Sequence, residues 1–508
     1  MNILGVSCFK PDSSVSLIRD GRILASAQEE RFTRKKHDSS FPFNAAKWCL
    51  GYGGAVKIDL VVFSDNNPFY KLRALSALSK LKIKSGIIFL SADESFCAAA
   101  YYPSGLRDSA ILINNKADPG IIFAEARNKK ITLLKQRFPY SLGSVYSAYT
   151  EYLGFKADSD EYRVMGLAAF GRPEYRKSVI SCRNRISKLG IRKRQPGEEF
   201  SEQDKNLAAS VQAAIEEETL RLTENLHKLT GQDNLCLAGD LALNCLINTK
   251  VQKQGLFRRV WVQPAANRSG ASLGAALSVW HKESQVSHEA DYGKDLMQGC
   301  FLGPEFDDAY IENFLNSSNI NYRKLDLKKI ADTGADLLAQ GLVVGWFQGK
   351  MEYGPRALGA RSILADSRKP GIHDRLNLKI KIRENFRPFA PTVLSEHAGE
   401  YFDLELDSPY MLFTASVREG KRKEIAAVCH ADNSSRVQTL KRKDNPLYYD
   451  LINEFFKKTG CPVIINTSFN TNNEPIVRTP QEAWRCFNST EIDSLIMGSF
   501  LINKRSSR

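Results

Sequence analysis

Apolar positions along this chain gather into short runs, most of them too brief for helices. The runs MNILGVSCF, SSVSLIRDG and RILASAQ at the start read as three strands, and Asp20-Gly21 between the second and third is a hairpin signal. Further buried strands are predicted at 59–63, 86–90 and 110–114, with a helix at 44–50. Helical spacing of apolar residues recurs at 144–152 and 206–228. NLCLAGDLALN (234–244) predicts strand, tight turn and helix; 257–280 predicts strand, loop and a helix of small residues. Strands interleaved with helices in this way predict one α/β domain, not separate all-α and all-β pieces.

Residues 281–326 are polar, acidic and irregular, and predict a linker or covering segment. Beyond it the pattern gives a helix at 330–340, a buried strand at 342–347 and an apolar run at 411–417. A helix at 446–459, a strand at 461–470 ending in a polar turn, a helix at 481–488 and a strand at 494–502 follow, with KRSSR as a frayed tail. The expected division is 1–325, with a linker near its end, and 326–508. No internal repeat is visible in the sequence.

Length and composition narrow the class. At 508 residues the chain exceeds one core, and 43% hydrophobic with 25% charged residues is ordinary for a globular protein. No apolar run reaches the ~18 residues of a membrane span, and the first residues read as a strand and not a signal peptide, so a cytoplasmic protein without a membrane partner is expected. The ten cysteines show no metal-type spacing. A net charge of +14 favours anionic ligands. The basic clusters at 31–36 and 192–194 are short, with Phe32 as their one interleaved aromatic, which argues against nucleic acid.

Cations concentrate where the chain is also rich in glycine. In 343–391 a buried strand is followed by Gly349, Gly354 and Gly359, then by Arg356, Arg361, Lys379, Lys381, Arg383 and Arg387. Glycines let backbone approach a ligand, and guanidinium and ammonium groups match phosphate. A solvated basic helix would account for scattered charges, but not for an arginine between Pro355 and Ala357 in an apolar setting. The segment therefore predicts anion binding.

Taken together, QEERFTRKKHD, DEYRVMGLAAFG, LAGDLALNC, QPAANRSGASLGAAL, EYGPRALGARSIL, RENFRPFAP, SRVQTL and NTSFNTNNEPIV resemble, in order and over nearly the whole chain, the ATP-dependent O-carbamoyltransferases of nodulation factors, cephamycins and aminoglycosides. The resemblance implies an α/β protein with a Kae1-like N-terminal domain of actin/Hsp70 type and a YrdC-like C-terminal domain. It implies that the C-terminal half makes carbamoyl adenylate from ATP and carbamoyl phosphate, and that the N-terminal half binds a metal and passes the carbamoyl group to a hydroxyl.

Carried over residue by residue, it puts catalytic roles on Lys381, Arg387, Arg436 and Ser468. Arg356, Met411, Asn466, Asn470 and Lys36 become substrate or nucleotide contacts. The N-terminal chemistry is altered. The family's His-Asp-x-Ser run is Pro11-Asp12-Ser13-Ser14, its two histidine ligands fall on Ala92 and Phe96, and its ligand aspartate is Arg268. Its Asp-Gly-x-Gly phosphate loop is Asn115-Lys116-Ala117-Asp118, and a turn glycine is Asp240. Scaffold positions such as Gly166, Ala168, Gly171, Gly239 and Gly274 remain.

The expectation is therefore ATP, with Mg2+ accompanying the nucleotide, carbamoyl phosphate and a small-molecule acceptor, no bound transition metal, and a homodimer left open. Two other readings stay open: adenylation of a different acid or for a different acceptor, and a non-catalytic partner that regulates a carbamoyltransferase.

Overall fold

Asp20 and Gly21 take φ of 48° and 78°, and the hairpin they close starts the first sheet. In this computed structural model, which describes residues 1–52, 57–116, 120–134, 138–284 and 292–504, strands Asn2–Ser7, Ser14–Arg19 and Arg22–Gln28 are antiparallel. Leu60–Phe63 and Gly86–Phe89 then extend the sheet in parallel with the first strand, giving the order third, second, first, fourth, fifth. Alternation divides its faces. Val15 and Leu17 join an apolar cluster with Leu4, Val6 and Ala45. Ser14 and Ser16 take the other face, Ser14 Oγ donating to Ser269 O at 2.7 Å and Ser16 Oγ lying 2.9 Å from Ser272 Oγ.

A second sheet repeats this plan. Ser109–Asn114, Ile121–Arg127 and Lys130–Leu134 are antiparallel, and Asn234–Ala238 and Arg259–Val262 run parallel to Ser109–Asn114, in the same third, second, first, fourth, fifth order. The sequence shows no repeat because a core position asks only for an apolar group of suitable volume. The doubled sheet is a duplication of topology alone.

Helices Ala92–Tyr101 and Arg268–Glu283 lie between the two sheets, each packed on the sheet that the other half of the duplication supplies. They need small residues to do so. A Cβ on Gly274 would meet Ser95 O at 1.9 Å, and one on Gly5 would meet Ser272 O at 1.9 Å. The long helix Glu202–Thr230 begins with a capping box formed by Ser201 and Asp204.

Contacts divide the chain into two compact units, Met1–Thr33 with His37–Met297, and Arg34–Lys36 with Gln298–Arg508. The second is built on an eight-stranded mixed sheet with Val344–Phe347 inside it, parallel to Ser494–Met497 and antiparallel to Arg361–Asp366. Helices Ile330–Ala339 and Pro446–Thr459 pack together, and the wholly buried Trp346 donates Nε1 to Gly359 O at 3.0 Å.

The expected α/β class is the one observed: the first unit carries two five-stranded sheets of the same strand order, and the second is built on a mixed eight-stranded sheet. Local readings need correction. Helices Pro68–Ser79 and Ala92–Tyr101 escaped notice because serines, charges and alanines blur their periodicity. The segment read as a linker holds helix Asp308–Ser317, whose Ile311 and Leu315 are buried; 285–291 lie outside the described residues. The strand read at 494–502 is a hairpin turned at Gly498, with φ of 51°. Beyond Lys504 the tail also lies outside the described residues. Among the described residues, no helix is long and apolar enough to cross a membrane.

Candidate active site

The glycine-punctuated loop predicted to bind anions is held from within. Glu352, buried, accepts at Oε1 from the backbone amides of Leu358, Ala360 and Arg361 at 2.7, 2.8 and 3.2 Å. Arg361 is wholly buried, stacks its guanidinium 3.7 Å from the Phe347 ring centroid and donates to the carbonyls of Pro304, Gln348, Gly349 and Ala360. Burial lowers its pKa to about 10, against the raising influence of Glu352. Arg361 is thus a brace for the loop and not a surface for phosphate. Gly359, with φ of 104°, lies against Tyr448, where a Cβ would come within 2.2 Å of the ring. Arg356 stands half-buried on this braced loop, which Gln438 pins by donating to Leu358 O at 3.0 Å.

Lys381 ends a π-helical segment, Arg375–Lys381, a geometry common at functional sites. Ile382 closes it with φ of 48°, a strained choice for a β-branched residue. Lys381 Nζ is buried and donates to Ser468 O at 2.7 Å, Ser468 Oγ at 3.2 Å, Asn470 O at 2.7 Å and Asn470 Oδ1 at 2.7 Å. Ser468 Oγ in turn donates to Asn470 Oδ1 at 2.7 Å. Burial, followed by the charge of Arg383, pushes the ammonium well below the usual lysine range, and Arg387 adds to this. Lys381, Ser468 and Asn470 are therefore brought together, with Arg387 in electrostatic reach. Of the other cations, Lys379 is an exposed partner of Glu491, and Arg383 stacks on Phe389 while donating to Asn377.

Asn466 sits on the same strand as Ser468, two residues earlier and buried. Its Nδ2 donates to Gln438 Oε1 at 2.9 Å and Thr392 Oγ1 at 3.2 Å. Arg436 and Met411 are carried by the three-stranded sheet and its approach, Arg436 opposite Thr414 and Met411 buried with φ of 54°. Residues Arg34–Lys36 group with this unit. Arg34 donates to Ile476 O at 2.7 Å and Pro475 O at 2.5 Å and pairs with Glu482 at 3.2 Å, and Lys36 follows it two residues along the chain. Glu352, Gln438, Thr392 and Arg34 were not singled out from the sequence. A lone acid in a glycine-rich apolar loop was the available signal for Glu352.

The N-terminal unit gathers a different set. Ala92 and Phe96 face no metal chemistry, and Arg268 places its guanidinium 5.8 Å from the Phe96 ring centroid. These residues do not fit the family's metal. Asp240 accepts from the Lys116 amide at 3.0 Å, and Lys116 Nζ pairs with Glu161 at 3.0 Å. Burial raises the pKa of Asp240, with Lys116 and Arg268 opposing it. The carboxylate thus engages a backbone donor of the loop to which the resemblance assigns phosphate. Ala117 and Asp118 lie outside the described residues.

Asp12, Glu30 and His37 bring one ligand atom each within 4.8 Å of one another. They are already engaged: His37 Nδ1 lies 2.9 Å from Asp12 Oδ1, Asn267 donates to Asp12 Oδ2 at 2.8 Å, and Arg31 pairs with Glu30 at 3.0 Å. The arginine opposes a dication there.

The carbamoyltransferase C-terminus family model matches residues 335–504, and the carbamoyltransferase N-terminus model matches 2–77, 66–194 and 186–277. The chain belongs to the carbamoyltransferase family. This carbamoyltransferase is 36% identical to the protein sll1178 of Synechocystis sp., over 99% of this chain and 97% of that one. It is 35% identical to the nodulation protein NolNO of Sinorhizobium fredii, over 98% of this chain and 80% of that one. Among solved structures, the activator of the 2-hydroxyisocaproyl-CoA dehydratase from Clostridium difficile is similar over 57% of this chain and 99% of its own, at 15% identity and a TM-score of 0.36. The family makes this carbamoyltransferase a transferase.

Proposed function

We propose that the C-terminal unit of this carbamoyltransferase forms carbamoyl adenylate, and that the N-terminal unit hands the carbamoyl group to a small hydroxylated acceptor without the family's metal. The observation that carries the first half is Lys381, a buried cation whose contacts fix Ser468 and Asn470. Carbamoyl phosphate is first hydrolysed: a water oxygen bonds the carbamoyl carbon as the bond from that carbon to the phosphate oxygen breaks, releasing phosphate and leaving carbamate. An oxygen of the resulting carbamate attacks the α-phosphorus of ATP; the new P–O bond forms as the bond to the β-phosphate oxygen breaks, and pyrophosphate leaves. Ser468 and Asn470 orient the carbamoyl amide, with Met411 as wall. Arg356, Arg387 and Arg436 offset the charge that builds on the phosphates, with Mg2+ entering as the nucleotide's companion. Lys36, grouped with this unit, contacts the adenylate.

In transfer, the acceptor oxygen bonds the carbamoyl carbon as the anhydride bond to AMP breaks. Pro11 offers no base for the acceptor proton. The Asp12–His37 pair is the titratable couple that stands beside it, with Asp12 orienting the imidazole. Exchange of labelled pyrophosphate into ATP, dependent on carbamoyl phosphate, tests the first step without knowledge of the acceptor. Absence of exchange, or equal exchange without carbamoyl phosphate, overturns the assignment.

A further inference from the structure

Outside both sites, one stretch of the N-terminal unit sets basic side chains among exposed apolar ones. No Asp or Glu occurs between Asp65 and Asp93, while Lys71, Arg73, Lys80, Lys82 and Lys84 all do. Among the described residues none of these cations forms an ion pair. Some exposed basic side chains elsewhere, such as Lys193, Arg221 and Lys324, have carboxylate partners, while others, such as Lys177, Lys188 and Lys253, share the feature.

Large apolar side chains lie among these cations. Helix Pro68–Ser79 buries Ala74, Ala77 and Leu78, yet its outer face carries Phe69 at 67%, Leu72 at 76% and Leu75 at 40% exposure. Arg73 lies over Phe9, its guanidinium 4.2 Å from that ring centroid and 5.8 Å from that of Phe69, and Lys71 lies 5.3 Å from the Phe89 centroid, which leaves Lys80, Lys82 and Lys84, among the described residues, as the cations engaged with neither carboxylate nor ring. Gly86–Phe89 is the last strand of its sheet, so among the described residues one edge of its backbone has no neighbouring strand, and Ile87 is 38% exposed. Phe63, Tyr70, Ala74 and Phe89 line a small depression at the base of the same helix, where Asp65 is already paired with Lys10 at 2.9 Å.

We propose that helix 68–79 and the edge strand 86–89 form a docking surface for an extended, acidic segment of another protein. Each feature narrows the occupant. Unpaired cations select an acidic partner and, with a net charge of +14, disfavour a second copy of this chain. An open strand edge offers main-chain donors and acceptors that a polypeptide completes and a lipid surface does not. Apolar side chains at alternate positions of the added strand meet Phe69, Leu72 and Ile87, while intervening carboxylates reach the lysines.

The test uses the full chain, labelled peptides that alternate Glu with Val, Ile or Phe, the same peptides with Lys for Glu, and phosphatidylcholine vesicles with and without phosphatidylserine. The acidic peptides are expected to bind and to weaken as salt is raised. Leu72→Ser combined with Phe69→Ser is expected to cost about 10-fold or more in affinity, and Lys80→Glu with Lys82→Glu to shift preference to the Lys peptides. These side chains are exposed, so melting temperature and pyrophosphate exchange should stay unchanged and report that the variants are folded. Binding of neither peptide set, or of both equally, overturns the proposal. Preferential binding to phosphatidylserine vesicles reassigns the surface to membranes, and self-association lost in the same variants reassigns it to a second copy; either result also overturns it.

Discussion

Replacing Lys381 by methionine keeps most of the side chain's volume while removing a charge and four contacts, to Ser468 O, Ser468 Oγ, Asn470 O and Asn470 Oδ1. Each oxygen left without a donor costs about 1–3 kcal/mol. Against that, a buried ammonium carries a desolvation cost of several kcal/mol that methionine does not. The two nearly offset, and a net stability loss of about 1–3 kcal/mol is expected from chemical denaturation. Catalysis has no such compensation, because the turn loses the group that fixes Ser468 and Asn470. If the lost orientation is worth about 1.5–3 kcal/mol at the transition state, pyrophosphate exchange falls by about 10- to 150-fold. All four contacts lie on the turn, so KM for ATP should change by no more than about 3-fold.

The pH dependence follows from the same group. Burial, then Arg383, lowers the Lys381 pKa, so the alkaline limb of exchange set by its proton lies well below the ~10.4 of free lysine. Stability rises with pH over that window, because there the unfolded chain binds a proton that the folded chain does not. An unchanged kcat with a large rise in KM for ATP would show that Lys381 holds phosphate and would refute this reasoning.

Four further outcomes are expected. Metal analysis should find iron and zinc well below one per chain, and a chelator should leave the melting temperature unchanged; one tightly held ion per chain would contradict the reading of Ala92, Phe96 and Arg268. His37→Gln should preserve pyrophosphate exchange and slow AMP release to any acceptor that the wild type carbamoylates by about 100-fold or more; equal loss of both steps would move His37 out of transfer. Burial, then Lys129, lowers His281 to about 3. Stability should therefore fall as pH drops below the ordinary histidine value, by about 2 kcal/mol at pH 5; a stability curve of the same shape in His281→Phe would exclude this histidine. Gly359→Ala forces a Cβ within 2.2 Å of Tyr448 at φ of 104° and should cost about 3 kcal/mol or more; a loss below about 1 kcal/mol would mean that Tyr448 yields.

Legibility in the sequence followed the locality of the cause. The hairpin at Asp20-Gly21, helix Pro446–Thr459 and the buried strand at Val344–Phe347 are written in adjacent residues, and were read from them. Helix Ala92–Tyr101 was not, since its run of alanines reflects a close helix–helix crossing and not a one-sided apolar stripe. The cations at 356–387 looked alike as letters. Burial and partners separate them: Arg361 braces a loop, Lys379 meets solvent, and Lys381 holds a turn more than eighty residues away in sequence. Asn466 was singled out, but its partners Thr392 and Gln438 were not, because side-chain pairing across strands leaves no local pattern.

The crossing of helices Ala92–Tyr101 and Arg268–Glu283 also sets an order of assembly. One face of the first sheet is covered by helix Phe43–Gly51, which is synthesised with it, but the face bearing Ser14 and Ser16 waits for Ser269 and Ser272. On a ribosome moving at 5–20 residues per second, the ~190 residues between the last strand of that sheet and the end of its distant helix take roughly 10–40 s. During that interval the nascent first half presents a sheet face whose closing helix has yet to be translated. The halves of the duplication are thus separable as topology but not as folding events, and this part of the chain reaches its native state only after the second half has been made.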